Sequence, residues 1–271
     1  MEEAIESRTR TVVAAGHALE VRTIGAVGRA RGAQPPVLVF LHEGLGCAAL
    51  WRDFPDRVCA ATGLPGVVYS RFGYGASDVF DAPLEPGFMH DEARVGLPAL
   101  LAALGIERSI LVGHSDGASI ALIHAGERPE GVAAVVALAP HLFVEPVTIA
   151  SIADISKRFP DSDLPRRMAK YHRDPVATFR GWADIWLDPR FRAWNIEAQV
   201  AQVRCPVLAM QGLQDEYGTM EQVRRAAALG RCARWVGIDD CGHSPHLDQP
   251  DQVLKEIKEF IATLGDRVAS S

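Results

Sequence analysis

The sequence lacks the features that mark secreted, membrane-spanning and nucleic-acid-binding proteins. It has only five cysteines in 271 residues, with no C-x-x-C pair, and an odd number suits no simple disulfide framework. No apolar run approaches the ~20 residues of a membrane span. The 28 Lys and Arg are outnumbered by 34 Asp and Glu, and a net charge of −6 argues against a nucleic-acid partner. The acidic start, residues 1–6, has no apolar segment, so we expect no signal peptide.

The chain does contain the pattern of a globular α/β protein. Hydrophobic residues make up 48% and charged residues 23%, an ordinary globular balance. Residues 8–25 alternate polar and apolar around a turn and predict a β-hairpin. After it, short apolar runs such as Val37–Leu41 and Val132–Leu138 alternate with segments of helical pattern, among them 50–62 and 90–104. Such runs suit strands buried on both faces, and the alternation predicts a mostly parallel sheet with helices on both sides.

The alternation stops across residues 141–203, which contain no buried-strand pattern but three of the five tryptophans. Phe179, Trp182 and Trp186 fall at i, i+3 and i+7, which is one face of a helix. Such a stripe usually packs a helix onto its own core. The alternative is that it presents an apolar wall to a ligand pocket, as ligand sites commonly do.

A reactive pattern, Gly113-His114-Ser115-Asp116-Gly117, lies between a predicted strand and a predicted helix. Gly-x-Ser-x-Gly in this setting is the pattern of a nucleophile elbow, a sharp turn that exposes the serine. Glycines are needed because a Cβ two residues before or after the serine would clash where strand and helix come close. The serine would sit at a helix N-terminus, where backbone N–H groups favour negative charge.

Two later loops supply the partners that such a serine requires. Asp215 and His243 each follow a predicted strand, and the carboxyl ends of parallel strands share one edge of the sheet. The serine needs a histidine to take its proton, and the histidine needs a carboxylate to hold its other N–H. Glu216 is an alternative acid, and His246 an alternative base.

An oxyanion also needs preorganised donors. One should be the backbone N–H of the residue after the nucleophile, Asp116. The other should come from the loop His42-Glu43-Gly44, which follows the Val37–Leu41 strand. A glycine at position 44 allows close approach of substrate, and His42 is expected to brace this loop by hydrogen bonding.

Together these pieces resemble the α/β-hydrolase superfamily over nearly the whole chain, and most closely the small, lid-bearing bacterial esterases and C–C bond hydrolases. The resemblance rests on four further stretches besides the elbow: Leu41-His42-Glu43-Gly44-Leu45-Gly46, 70–78, 212–215 and 241–250. It implies an eight-stranded, mostly parallel sheet with a helical cap, 141–203, inserted after strand 6 into a core of 1–140 and 204–271. It also implies that Gly44 is the second oxyanion donor, that Asp215 is the acid rather than Glu216, and that His243 rather than His246 is the base.

Two residues depart from the family pattern. Most relatives have glycine where this chain has Glu43, and the C–C hydrolases have a larger apolar residue where it has Asp116. A carboxylate near the oxyanion hole opposes negative charge if it points inward. We expect both side chains to point away while their backbones serve, or one of them to meet a specific substrate group.

The sequence therefore predicts a cytoplasmic serine carboxylesterase for a small hydrophobic or aromatic ester. Its catalytic residues would be Ser115, Asp215 and His243, with no cofactor, no metal, no membrane or nucleic-acid partner, and a monomeric or homodimeric state. The alternatives are a C–C bond hydrolase of a ring-cleavage product, a lactonase, a thioesterase, and a non-catalytic small-molecule receptor on the same fold. The candidate substrate contacts are Glu43, Trp182, Trp186 and His246.

Overall fold

A computed structural model describes residues 6–28, 35–230 and 233–265. The predicted hairpin is present, and it begins an eight-stranded sheet with the order β1-β2-β4-β3-β5-β6-β7-β8. The strands β1 and β2 are antiparallel to each other, β2 is antiparallel to β4, and the remaining pairs are parallel. The strands are β1 Ser7–Ala14, β2 His17–Ile24, β3 Val37–Leu41, β4 Gly66–Tyr69, β5 Ser109–His114, β6 Val132–Leu138, β7 Val207–Gly212 and β8 Ala233–Ile238.

Helices cover the sheet. They are α1 Phe54–Thr62, α2 Phe88–Asp91, α3 Leu97–Leu104, α4 Asp116–Glu127, α5 Pro146–Arg158, α6 Leu164–Met168, α7 Pro175–Leu187, α8 Glu197–Val200, α9 Glu221–Leu229, α10 Pro245–Asp248 and α11 Pro250–Thr263. Alternate residues of the central strands pack into two separate apolar cores, Val39 and Leu41 on one face and Leu38 and Phe40 on the other. This two-sided burial explains why those strands appear in the sequence as continuous apolar runs.

Two predicted helices are interrupted in the structure. The segment predicted as a helix over 50–62 is divided into a 3₁₀ turn, Ala48–Trp51, and α1, because Arg52 between them has a φ of 53°. The segment over 90–104 contains a wider π turn, Glu92–Gly96, immediately before α3. Pro98 lacks an N–H and crowds the preceding turn, and the π turn lies directly before it.

Between β6 and β7, the chain forms the helices α5 to α8 and no strand of the sheet. Phe179 on α7 stacks on Phe159 with ring centroids 3.6 Å apart. The Thr178 hydroxyl of the same helix donates to the Gly73 carbonyl oxygen at 2.8 Å, and His172 hydrogen-bonds the Leu45 carbonyl oxygen at 3.1 Å. The helices of 141–203 therefore rest on the loops that follow β3 and β4.

The helices in the part of the chain that the structure describes are too short or too polar to span a bilayer. The acidic start that bears on the signal-peptide prediction lies outside the described residues at positions 1–5, and Cys232 also lies outside them.

Candidate active site

The elbow occupies the junction between the central strand β5 and helix α4. Ser115 has a φ of 52°, which is a backbone conformation that residues other than glycine seldom adopt. Its two glycines are required by close backbone approach. A Cβ on Gly113 would overlap the start of α4, and a Cβ on Gly117 would overlap the carbonyl oxygens of Leu41 and His42. Such strain is typical of functional positions, and here it presents the hydroxyl at the carboxyl edge of the sheet.

Three side chains from three separate strand ends form a continuous hydrogen-bonded chain. The Ser115 hydroxyl lies 2.9 Å from Nε2 of His243. The Nδ1 atom of His243 lies 2.9 Å from both carboxylate oxygens of Asp215. Because a carboxylate only accepts hydrogen bonds, Nδ1 carries the proton and Nε2 is free to accept from the serine. The arrangement is that of a hydroxyl, a base and an orienting acid.

The Asp215 carboxylate is held rigidly in place. Its side chain is 1% exposed, and it also accepts hydrogen bonds from the backbone N–H groups of Tyr217 and Gly218 and from the Gln211 amide. The side chain of Glu216 is exposed, and its backbone carbonyl oxygen accepts from Ser151. Asp215, rather than Glu216, is therefore the acid that reaches the histidine.

Asp215 and His243 each stabilise the charged form of the other. Burial alone would lower the pKa of His243, but the hydrogen bond and negative charge of Asp215 outweigh it and raise the pKa above its ordinary value of 6.5. Burial would likewise raise the pKa of Asp215, and the His243 hydrogen bond outweighs that effect and lowers it. The carboxylate therefore stabilises an imidazolium when His243 takes up a proton.

Hydrogen bonds from the side chains of His42 and Arg71 hold the loop after β3 in place. The Nδ1–H of His42 donates to the Glu43 carbonyl oxygen at 2.7 Å, and Nε2 accepts from the backbone N–H of Arg71 at 3.0 Å. The buried Arg71 guanidinium donates to the carbonyl oxygens of His42 and Glu43. These contacts fix the backbone at Gly44 beside the elbow. The bracing by His42 was predicted, whereas that by Arg71 was not.

A cavity of about 100 Å³ opens in front of the serine hydroxyl. It is bounded by the loop after β3, the elbow, and helices α5 and α7, so residues from within the 141–203 segment and residues from outside it both line the cavity. Trp182 and Trp186 both line it, and a Cβ on Gly44 would overlap the Trp182 indole. Its lining residues are Glu43, Gly44, Leu45, Ser115, Asp116, His141, Thr148, Ile152, Trp182, Trp186, Tyr217 and His243.

The Asp116 side chain does not point away, contrary to the first of the two orientations expected. It is 1% exposed and lines the cavity. Its Oδ2 lies 3.0 Å from the position that a Cβ on Gly44 would occupy. Burial raises the pKa of this carboxyl to about 6, against the opposing influence of Arg71 and Trp186. Asp116 is the first residue of α4, and this end of the helix faces the loop after β3. Its side chain therefore points toward the cavity.

Glu43 reaches sideways instead of into the oxyanion region. Its carboxylate packs over Gly46 and lies 3.3 Å from Nδ1 of the buried His114. Burial would raise the pKa of Glu43, but the hydrogen bond and charge of His114 lower it well below the usual range. The other ring nitrogen of His114 donates to the backbone carbonyl oxygen of His243 at 2.7 Å. Glu43 therefore supports the histidine loop through His114, although part of the residue also borders the cavity.

The sequence also predicted His246 as a substrate contact, and the structure places its side chain in the core, away from the cavity. Its ring is buried against Trp51, with centroids 4.5 Å apart, and against Phe54 and His114. It is absent from the residues that line the cavity. Burial lowers its pKa well below the ordinary value. His246 lies three positions after His243, in the first turn of α10. The direction of this helix places its side chain in the core.

Five cavity residues were missed in the sequence, Leu45, His141, Thr148, Ile152 and Tyr217, and two of them have ionisable side chains. His141 follows β6, and Tyr217 follows β7. Their position after strand ends was the available signal, but neither belongs to a short motif. Burial lowers the pKa of His141 to about 3, so its ring is neutral. Among the described residues, no group of three or more His, Cys, Asp or Glu side chains is arranged to hold a metal ion.

The chain is similar in sequence or in fold to several known proteins. The chain is 22% identical to a 2-hydroxy-6-oxo-6-phenylhexa-2,4-dienoate hydrolase of Burkholderia cepacia, over 84% of this chain and 88% of the relative. It is 26% identical to a 2-succinyl-6-hydroxy-2,4-cyclohexadiene-1-carboxylate synthase of Serratia proteamaculans, over 86% and 96% of the two chains. The crystal structure of naproxen esterase from Bacillus subtilis superposes with a TM-score of 0.71 at 17% identity, covering 94% of this chain and 92% of that one. The sequence profile of the alpha/beta hydrolase family matches residues 38–256, and the chain belongs to that family.

Proposed function

We propose that the protein is a serine hydrolase that cleaves a small carboxylic ester through an acyl-enzyme intermediate. The observation that carries this proposal is the hydrogen-bonded chain from Ser115 through His243 to Asp215, with Ser115 lining a cavity. A serine hydroxyl is a weak nucleophile until a neighbouring base removes its proton. His243, held in the required tautomer by Asp215, is placed to do so.

The reaction follows from these positions. As Ser115 Oγ bonds to the ester carbonyl carbon, its proton passes to Nε2 of His243, and the carbonyl oxygen becomes an oxyanion. The backbone N–H groups of Gly44 and Asp116 stabilise that charge. The tetrahedral intermediate then expels the alcohol, which takes the proton from His243. Water, deprotonated by His243, attacks the acyl-enzyme and releases the acid.

The cavity also bears on the substrate. Trp182, Trp186 and Ile152 offer apolar and aromatic walls, and a volume of about 100 Å³ suits a small group. We infer that a small hydrophobic or aromatic acyl group enters it, and that residues 141–203 act as a cap over it. The contacts of α5 and α7 with the cavity support that role for the segment.

The charges at the cavity favour an ester over the C–C bond alternative. The dienoates named for the Burkholderia cepacia relative carry a carboxylate. Here the described cavity lining has no Lys or Arg and contains two acidic residues, Glu43 and Asp116. Like charges brought together in a poorly solvated pocket repel each other. An ester without a carboxylate avoids that repulsion, whereas a dienoate does not.

Labelling by a fluorophosphonate, followed by turnover of p-nitrophenyl acetate, separates an enzyme from a receptor on the same fold, since a receptor can keep a reactive serine without turning over an ester. We expect the probe to attach to Ser115 at neutral pH, with the modified peptide identified by mass spectrometry. Ser119 is a matched internal control, since its hydroxyl is engaged with the His141 carbonyl oxygen at 2.7 Å and should stay unmodified. Heat-denatured protein should not react. A folded protein whose Ser115 stays unmodified would contradict the proposal.

The pH dependence should show His243 acting as a base. Its pKa is raised by Asp215, so the protonated, inactive form already accumulates as the pH falls through a value above 6.5. We expect kcat/KM for p-nitrophenyl acetate to be level at high pH and to fall on the acid side with an apparent pKa above 6.5. In the Asp215→Asn variant this limb should move to lower pH. An acid limb unchanged by that substitution would show that another group controls it.

A further inference from the structure

The Asp116 carboxylate is buried and has no hydrogen-bond partner among the described residues. It is 1% exposed, and neither oxygen accepts a hydrogen bond from any residue in the described ranges. Buried polar groups are nearly always paired, and an unpaired one calls for an explanation. This one lies at the cavity, next to the nucleophile and beside the backbone of Gly44.

The charged and polar groups around Asp116 do not supply that partner. The Arg71 guanidinium favours the ionised carboxylate from a distance, but its hydrogen bonds go to the carbonyl oxygens of His42 and Glu43. The Trp186 indole N–H approaches the carboxylate without forming a hydrogen bond of ordinary geometry. His243 adds a weaker favourable influence, and Glu43 an unfavourable one.

The remaining cavity surface suits a cation. The Trp182 and Trp186 indoles and the Tyr217 ring line it, while the lining that the structure describes contains no Lys or Arg. Aromatic faces attract ammonium groups, most strongly where water is excluded. In this cavity an ammonium group would be attracted both by the Asp116 carboxylate and by the aromatic rings.

We propose that Asp116 is a specificity-determining residue that binds a hydrogen-bond donor, above all an ammonium group, carried by the acyl part of the substrate next to the scissile carbonyl. The proposal rests on the serine hydrolase function argued above and names its substrate class. The donor must be within one or two bonds of the carbonyl, because Asp116 directly follows Ser115 and its Oδ2 lies beside the Gly44 backbone.

The same geometry gives the ammonium group an effect on the reaction rate. An ionised Asp116 beside the oxyanion hole opposes the negative charge that develops there. A substrate ammonium placed between them offsets that repulsion, and the benefit grows as the charge develops. Interactions that strengthen in the transition state raise kcat as well as kcat/KM. Esters without a donor receive no such benefit.

Two esters that differ in one group test this directly: alanine benzyl ester and isobutyric acid benzyl ester, in which a methyl group replaces the amine. With benzyl alcohol release measured at pH 7, we expect the alanine ester to have at least a tenfold higher kcat/KM. In Asp116→Asn, the alanine ester should lose about tenfold or more, while the isobutyric ester should gain because the opposing charge is gone. Lactic acid benzyl ester, a neutral donor, should lie between the two.

A matched variant and a second measurement keep the outcome interpretable. Glu43→Gln removes the other cavity carboxylate and should keep the preference for the amine. Independently of turnover, alaninamide should slow fluorophosphonate labelling of the unmodified protein more than isobutyramide does. This protection should weaken as the pH falls through about 6, where Asp116 takes up a proton.

Equal rates for the two esters, or an equal loss of both in a folded Asp116→Asn variant, would overturn the proposal. So would labelling of Ser115 that alaninamide does not slow. In each of these cases a labelled Ser115 leaves the serine hydrolase function intact. A folded protein that the fluorophosphonate does not label rejects that function, and the amine preference with it.

Discussion

Replacing Ser115 with alanine should lower kcat for p-nitrophenyl acetate by about 10⁵- to 10⁶-fold, the loss found when the serine of such a chain is removed. The hydroxyl lies 2.9 Å from Nε2 of His243, close enough to pass its proton to the ring. Without it, no acyl-enzyme forms. The oxyanion donors and the cavity remain, so a residual rate of roughly 10³-fold over water is expected to survive.

Burst kinetics make this measurement specific. The unmodified protein should release p-nitrophenol in a rapid first turnover if deacylation is slow, and Ser115→Ala should show no such phase. Ser119→Ala is the control for changes elsewhere on α4, and its thermal melting should be compared with that of Ser115→Ala. If a folded Ser115→Ala variant hydrolysed the ester as fast as the unmodified protein, the assignment of a serine nucleophile would be wrong.

The second large effect is expected at Asp215. Asp215→Asn preserves shape but replaces an acceptor with an amide that can donate to Nδ1 of His243, which favours the wrong tautomer. A loss of about 10⁴-fold in kcat is the usual consequence. The substitution changes the contact directly, because both carboxylate oxygens lie 2.9 Å from Nδ1 of His243.

Glu216→Gln is the matched control for that substitution. The Glu216 side chain is exposed and raises the pKa of His243 only through its charge. Its loss should change kcat by less than about threefold, since exposed charges interact weakly across water. A large loss in Glu216→Gln with near-normal activity in Asp215→Asn would place the acid one residue later than the hydrogen bonds indicate.

The parallel part of the fold was predictable because burial on both faces leaves a simple pattern. Continuous apolar runs such as Val37–Leu41 and Val132–Leu138 admit few other structures, and both strands have the predicted bounds. The helix interruptions were harder to predict. The break at Arg52 depends on a positive φ, which an arginine does not indicate in the sequence.

The candidate catalytic residues were predictable for a different reason. Gly113 and Gly117 flank Ser115 because backbone atoms approach closely there, so the requirement for glycine is local and visible in the sequence. Asp215 and His243 could be named because both follow strands that end at one edge. His246 shows the limit of this reasoning: it belongs to the same stretch, but the turn into α10 carries it into the core against Trp51.

The sequence by itself determined the α/β class, the strand-to-helix elbow and the order of serine, acid and histidine, since each depends on local pattern and spacing. Only the tertiary structure decided what surrounds them. The direction of the Asp116 carboxylate, the brace from Arg71 and the cavity walls at Trp182 and Trp186 arise from segments distant in the chain. Their contacts depend on how α7 and the loops after β3 and β4 pack together, and residue spacing does not encode that packing.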